Sequence, residues 1–352
     1  MALPVVKNAL ECAEYTNTLH PYLYQLRPLP GIVAESITNA AALRQVYLDT
    51  NPAITSIAFS IAIAPIFLVV SEINKNYSQV DRMCRSSLQS TTSTILSTPT
   101  SPDTTPPASA AVGSEDYRWA LVKDYVGPTV MFLFNVTFIS LAQSLLLCAI
   151  TTPAYVMLLS ERLVSARALP AWTNGDTAAF TLIVTLITLT AIGDQQQWNY
   201  QNAKHAYRKT GVLPADSKYT KHELEVGFPT TGFFAYARKP NYATEQAVWG
   251  SFYLWSCITS GTLYNWTGIG FLSYLILFQA STWLTELLSE QKYPEYAQYR
   301  RQVGQFIPTS LTPPKIELLK RKAAIENGAT GAKKNDVAAA HARERYNLRG
   351  SP

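Results

Sequence analysis

The chain has 352 residues, of which 47% are apolar and only 15% charged. A water-soluble domain carries about 25% charged residues, so this sequence lacks the charge to coat a surface facing water. The formal balance is 29 − 24 = +5, and Lys315 to Arg349, with nine basic and four acidic residues, holds the whole excess. A nucleic-acid binder would spread such charge over a folded face, so no nucleic-acid partner is expected.

In chain order, residues 1–83 form an N-terminal segment with the first membrane span. Met1 to Leu10 lacks the basic-then-apolar pattern of a cleaved signal peptide. Pro28 to Leu48 mixes polarity as a helix lying at an interface would. Between Asp49 and Glu72 come 22 uncharged residues, and Ile54 to Val70 suffices for one crossing. Residues 84–112 are dominated by Ser, Thr and Pro and read as disordered. Residues 113–193 hold two spans, within 36 uncharged residues between Asp124 and Glu161 and 17 between Asp176 and Asp194. Pro153 kinks or ends the first of them, leaving a short apolar extension to Leu159.

Residues 194–310 contain 40 uncharged residues between Glu245 and Glu286, too many for one span. Gly261, Asn265, Gly268 and Gly270 mark the turn of a helical hairpin there. Residues 311–352 are a basic tail. The expected fold class is all-α, a polytopic helical membrane protein with about five to seven transmembrane helices, five of them supplied by these intervals. Asp194 to Lys239 holds seven Lys/Arg against three carboxylates besides Asp194. The positive-inside rule then puts both ends of the hairpin and the tail in the cytosol, with Met1 on the opposite face.

Cys12, Cys84, Cys148 and Cys257 show no metal or redox spacing, and His20, His205, His222 and His341 form no ligand pair. No metal is expected, and Cys148 and Cys257, in apolar stretches, read as buried and inert. The chemistry falls between Asp194 and Pro308. If the third span continues as a helix, Asp194, Gln197, Trp198, Gln201, Lys204 and Arg208 share one face, a stripe able to hold a phosphate-bearing ligand. The same spacing also suits an interfacial helix with snorkelling cations. Pro240 suits the first turn of a helix whose positive end, with Arg238 and Lys239, makes an anion site. Asn241 and Glu245 point the same way from that helix and suit ribose hydroxyls or a carboxamide. Glu286 is a lone carboxylate ending the last span, followed by the aromatic and basic run Tyr293, Tyr296, Tyr299, Arg300 and Arg301.

The runs DQQQW from Asp194, GFFAYARKPNYATE from Gly232, TELLSEQKYPEYAQYRR from Thr285, and FIP to Pro308 together resemble the C-terminal half of the steroid 5-alpha-reductase superfamily. The resemblance is closest to its uncharacterised multi-span branch. The Arg-x-Pro-Asn-Tyr-x-x-Glu core is also similar to one in isoprenylcysteine and phospholipid methyltransferases. The resemblance implies a cytosol-facing NADPH pocket in an endoplasmic-reticulum membrane. By motif position Arg238 would contact phosphate, Asn241 and Glu245 the nicotinamide or ribose end, and Tyr242 would wall the pocket. Asp194 and Gln201 would lie on the first cofactor helix, and Glu286, Tyr296, Arg300 and Arg301 on the closing segment. Lys239 stands where many relatives have His. By the same resemblance, residues 84–112 would stand in place of one or two spans of the branch, as a frame-shifted or mis-spliced translation would.

The expected activity is NADPH-dependent reduction of an activated C=C bond in a lipophilic substrate within the bilayer. Asp81, just beyond the first span, is the candidate acid. The alternatives are a methyltransferase using S-adenosylmethionine and a non-catalytic membrane protein. The count of cations favours NADPH over S-adenosylmethionine.

Overall fold

The computed structural model describes residues 2–77, 117–166, 172–213 and 217–318. The stretch 84–112, Cys84, Asp81 and the basic tail beyond Leu318 lie outside the described residues.

The first fifty residues form short helices, among them Ala9–Ala13, Leu29–Ser36 and Ala40–Asp49. The single interfacial helix expected over Pro28 to Leu48 is therefore two. Asn39 is extended and its side chain caps the Ala41 and Ala42 N–H groups, a geometry that starts a new helix instead of continuing one. These segments gather at one end of the bundle, where Cys12, Leu19, Leu29, Ile54, Tyr155 and Leu159 form a buried cluster. Asn51 donates to the Tyr155 hydroxyl at 2.7 Å, and that hydroxyl donates to the Thr18 carbonyl at 3.1 Å.

Helix α1 (Pro52–Asn74) opens with Pro52 in its first turn and Asn51 capping Ala53, both favoured at a helix start. Helix α2 covers 128–151 and includes a π-helical stretch, Asn135–Ala142. Pro153 breaks it as expected, but the chain re-forms helix α3 (Pro153–Ala166), which extends past Leu159. Helix α4 (Asn174–Thr210) is one unbroken helix of 37 residues, started by a Thr173–Asp176 capping box and ended by left-handed Gly211. At 1.5 Å per residue it is roughly 55 Å long, nearly twice a bilayer's hydrocarbon core of about 30 Å. Its uncharged part, Thr177 to Gly193, accounts for a crossing, and the polar part from Asp194 projects beyond. Thr177, Thr181 and Thr185 return their hydroxyls to the carbonyls four residues back, as polar groups in lipid must.

After the short helix α5 (Lys221–Val226) comes the hairpin of α6 (Pro240–Ser260) and α7 (Gly268–Lys292), then α8 (Tyr296–Gln302). Gly261 takes the left-handed conformation that closes α6, and Asn265 holds the turn by bonding Ser256 and Thr267. Gly268 and Gly270, read as turn residues, instead begin α7. Gly270 packs so closely on α2 that a side chain there would meet the Ala149 carbonyl.

The helices alternate in direction. Asn135 of α2 meets Ser71 and Glu72 of α1, both at 2.8 Å. Along α4 and α6 the pairs run Gly175 with Ile258, Asp176 with Trp255, Thr190 with Thr244, and Asp194 with Asn241. Along α6 and α7 they run Gly250 with Phe271, Glu245 with Tyr274, and Tyr242 with Phe278. The starts of α1, α4 and α7 thus share one end of the bundle, and the starts of α2 and α6 share the other.

Among the described residues four helical stretches are long and apolar enough to cross a membrane: Pro52–Asn74, Pro128–Leu163 (α2 with most of α3), Asn174–Thr210 and Gly268–Lys292. This shows an all-α, polytopic membrane protein. The fifth expected span, α6, has the length at 21 residues but is not among the four. It carries Asn241, Gln246, Ser251 and Ser256 buried against its neighbours, and a helix sheathed by α3, α4 and α7 has less need of an apolar surface. Cys148 and Cys257 are buried free thiols, as read, and so is Cys12.

Candidate functional site

The predicted residues converge where α4 leaves the apolar zone and α6 and α7 meet the C-terminal segment. At Gly193 the absent side chain lets α6 approach α4: a Cβ there would lie 2.5 Å from Asn241 Oδ1. In the space so gained Asn241, 9% exposed, donates its Nδ2 to Asp194 and, at 3.4 Å, to Gln197. Its Oδ1 is buried and has no partner among the described residues. An unsatisfied buried acceptor costs about 1–3 kcal/mol. Gly193→Ala is expected to expel Asn241 from this contact and to lower stability by about 1–3 kcal/mol. Thermal unfolding checks it, with Gly31→Ala, a helical position whose Cβ meets open space, as a control for ordinary glycine loss.

Arg238, 8% exposed, does not face an open anion site. Its guanidinium grips Glu286 with Nε at 2.6 Å and Nη2 at 3.0 Å, while Nη1 donates to the carbonyls of Arg300, at 3.2 Å, and Val303. Where the resemblance put a phosphate, the anion held by Arg238 in the structure is the protein's own. The physical reason is that Glu286, 6% exposed, requires a hydrogen-bonded cation to be buried ionised. The backbone completes the clasp, with Arg238 and Lys239 N–H donating at 2.9 Å to Gly304 and Gln305, so the start of α6 is covered by the C-terminal segment. Tyr296 approaches Glu286 at 3.4 Å, and Tyr299 donates to the Phe234 carbonyl. Burial, and next the Glu286 charge, push the Tyr296 phenol above its ordinary range, and burial does the same to Tyr299. Arg300 is exposed, 2.7 Å from Glu290 and 3.8 Å from Glu286. Arg301 is exposed and joins none of these contacts.

One turn into α6, Glu245 accepts from Tyr274 of α7 at 2.5 Å. Tyr242 packs edge-on against Phe278 and lies under the Lys239 ammonium, 5.6 Å from its ring centre. The stripe on α4 is rotated from the expected one. Asp194 and Lys204 face inward, whereas Gln197, which reaches Asn241 only at 3.4 Å, and Trp198 are exposed, and Gln201, half-buried, joins none of the contacts. One position turns a helix by about 100°, and the inward place belongs to Tyr200.

Sequence reading missed Gln196, Tyr200, Tyr219 and Gly227. Gln196 Oε1 accepts from Phe233 N–H at 2.8 Å, beside left-handed Gly232. Tyr200 and Tyr219 meet edge to face at 5.3 Å. With Lys218, Pro229, Thr231, Gly232 and Phe234 these side chains line an open cleft of about 280 Å³. Gly227, left-handed at φ 89°, offers its carbonyl to Lys204 at 3.2 Å. The available signal was the Thr220-Lys-His-Glu223 spacing: a capping box before a short helix, with a glycine ending it. Among the described residues no group of His, Cys, Asp or Glu is arranged to hold a metal.

These features define a helical membrane protein with a polar, cation-rich site at one end of its bundle. A family of proteins of unknown function, DUF1295, matches residues 109–303, and the chain belongs to it. An uncharacterised protein of Schizosaccharomyces pombe is 31% identical over 329 residues, which are 87% of this chain and 93% of the relative. No solved structure matches the chain.

Proposed function

We propose that this protein is a membrane-embedded, NADPH-dependent reductase of an activated C=C bond in a lipophilic, steroid- or lipid-like substrate, related to the steroid 5-alpha-reductases. The observation that carries the reading is Asn241: a buried carboxamide whose Nδ2 is engaged by Asp194 and Gln197 and whose Oδ1 has no partner among the described residues. A nicotinamide carboxamide offers N–H donors to such an acceptor. The bare Gly193 beside it lets Asn241 lie directly against α4, and these residues fit the group.

When bound, the reduced nicotinamide supplies a hydride to the β-carbon of the conjugated carbonyl. The chain's own work is to orient and to exclude water. Asn241, Asp194 and Glu245 would hold the nicotinamide and ribose end. Tyr242, braced on Phe278, would wall it from lipid. Arg238 and Glu286 would act as positioning residues, pinning the C-terminal segment over the start of α6. The proton that completes the reduction enters at the α-carbon, and Asp81 remains the candidate donor from sequence. The basic loops support a cytosolic face for this end, in the endoplasmic reticulum by resemblance.

The test is ligand-dependent thermal stability of the detergent-solubilised protein with NADPH or S-adenosylmethionine, and Glu245→Gln as control. Ligand at a hundredfold excess over its Kd stabilises by about 2.7 kcal/mol. The expected result is a shift with NADPH, much reduced in Glu245→Gln, which keeps an acceptor for Tyr274 but loses the charge. A shift with S-adenosylmethionine alone would replace this reading with a lipid or prenyl-cysteine methyltransferase. Silence with both, from folded protein, would favour a non-catalytic role.

A further inference from the structure

Lys204 is 5% exposed, yet its ammonium has three donors and a single acceptor, the Gly227 carbonyl at 3.2 Å. No carboxylate pairs with it among the described residues. Its electrostatic neighbours are Arg208 and Lys292, both cationic. The nearby acids of α5 are engaged elsewhere: Glu223 caps Thr220, while Glu225 binds Tyr207 at 3.0 Å and approaches Lys221 at 3.8 Å. Gly227 lies against the same group, since a Cβ there would meet the Tyr293 ring and, at 3.2 Å, Arg208 Nη2. Three basic side chains from α4 and α7 therefore gather near a bare backbone turn, one of them desolvated. Burial of a charge without a counter-charge is strongly unfavourable, and an anion would relieve it.

We propose that Lys204, Arg208 and Lys292 form a binding site for a phosphate-monoester dianion. Resting on the reductase reading, it takes the phosphate that distinguishes NADPH from NADH. A phosphate monoester carries close to two negative charges and three acceptor oxygens. It can meet a guanidinium fork and two ammonium groups together, where each pyrophosphate group carries a single charge. Arg238 is not available for that purpose, being filled by Glu286 and two carbonyls. Lys204 lies ten residues beyond Asp194 on the same helix, roughly 15 Å along its axis, and both face inward. A dinucleotide lying along α4 would reach from Asn241 at one end to Lys204 at the other. Tyr200 lies between, with Lys204 Nζ 5.7 Å from its ring centre, and its ring helps line the cleft with Tyr219. Tyr219, half-buried at that cleft, offers its ring to the purine.

The experiment measures binding of NADPH, NADH and 2′,5′-ADP to the full-length protein in lipid nanodiscs, with and without phosphatidic acid, for wild type, Lys204→Met and Lys204→Arg. Wild type is expected to bind NADPH and 2′,5′-ADP, and to prefer NADPH to NADH. Lys204→Met should weaken both phosphorylated ligands by roughly ten- to hundredfold, leave NADH unchanged, and melt no lower than wild type because an uncompensated charge is gone. Lys204→Arg should retain the preference. Equal NADPH affinity in Lys204→Met overturns the site while leaving the reductase reading intact. A lower melting temperature with unchanged NADPH-to-NADH preference makes Lys204 structural and also overturns it. Failure of the reading looks different: wild type then binds neither nicotinamide nucleotide. In that case phosphatidic acid binding that depends on Lys204 keeps the dianion site and moves its source to lipid, whereas silence of both 2′,5′-ADP and phosphatidic acid overturns the site as well.

Discussion

Arg238→Met is expected to destabilise the protein by about 3–5 kcal/mol, the range for removing one partner of a buried ion pair. The substitution keeps most of the side-chain volume, so the loss reports charge and hydrogen bonds more than packing. Glu286 would remain buried with its bidentate partner gone, and Arg300, exposed and 3.8 Å away, replaces only part of it. The carbonyls of Arg300 and Val303 would lose their shared donor in the same step. Glu286→Leu alone should be costly in the mirror sense, leaving a buried guanidinium facing carbon. The double variant should recover much of the loss, because replacing both members of a buried pair by apolar groups is often close to neutral. Unfolding of all four proteins in one detergent, read as a double-mutant cycle, checks this. Additive losses, or a single Arg238→Met effect below about 1 kcal/mol, would mean that the pair is not the clasp of this end of the bundle. A further readout separates position from stability: in the double variant the C-terminal segment should become more accessible to protease around Arg300 and Arg301 even where the melting temperature recovers.

Local spacing carried much of the fold, because uncharged intervals, Pro240 and Gly261 act within a few residues of themselves. The hairpin turn and the Pro153 break were legible for that reason. What failed depended on partners far away in the chain. Arg238 has the residue type and place of an anion ligand, and nothing within ten residues tells that Glu286, forty-eight positions on, already fills it. Gln201 and Tyr200 differ by one step, and hydropathy on a mixed-polarity helix does not resolve a rotation of about 100°. Helix α6 is short of apolar residues because three other helices surround it, a property of its neighbours. Gly268 and Gly270 look like turn formers, as glycine does in any window, whereas Gly270 is required by a helix crossing it never meets in sequence.

That crossing sets the second large effect. Gly270→Ala is expected to destabilise by about 1–3 kcal/mol or more, the range for overpacking a filled interior, and Gly270→Val by more. A Cβ at this position would fall on the Ala149 carbonyl and lie within 2.9 Å of Ile150 N. Both are backbone atoms of α2, so no rotamer change relieves the clash and the two helices must separate. The displacement would not stay local, since α7 also carries Tyr274, which bonds Glu245, and Phe278, which packs on Tyr242. Separation from α2 therefore loosens the walls of the candidate pocket on α6. Gly31→Ala is the contrasting substitution: it lies in helix Leu29–Ser36 with nothing within 4 Å of the added atom, and should be neutral or stabilising by roughly 0.5–1 kcal/mol. Apparent melting temperatures in detergent distinguish the two. NADPH-dependent stabilisation should fall in Gly270→Ala and persist in Gly31→Ala. If Gly270→Ala melts like wild type, α2 and α7 part without consequence, and their close contact does not hold the pocket.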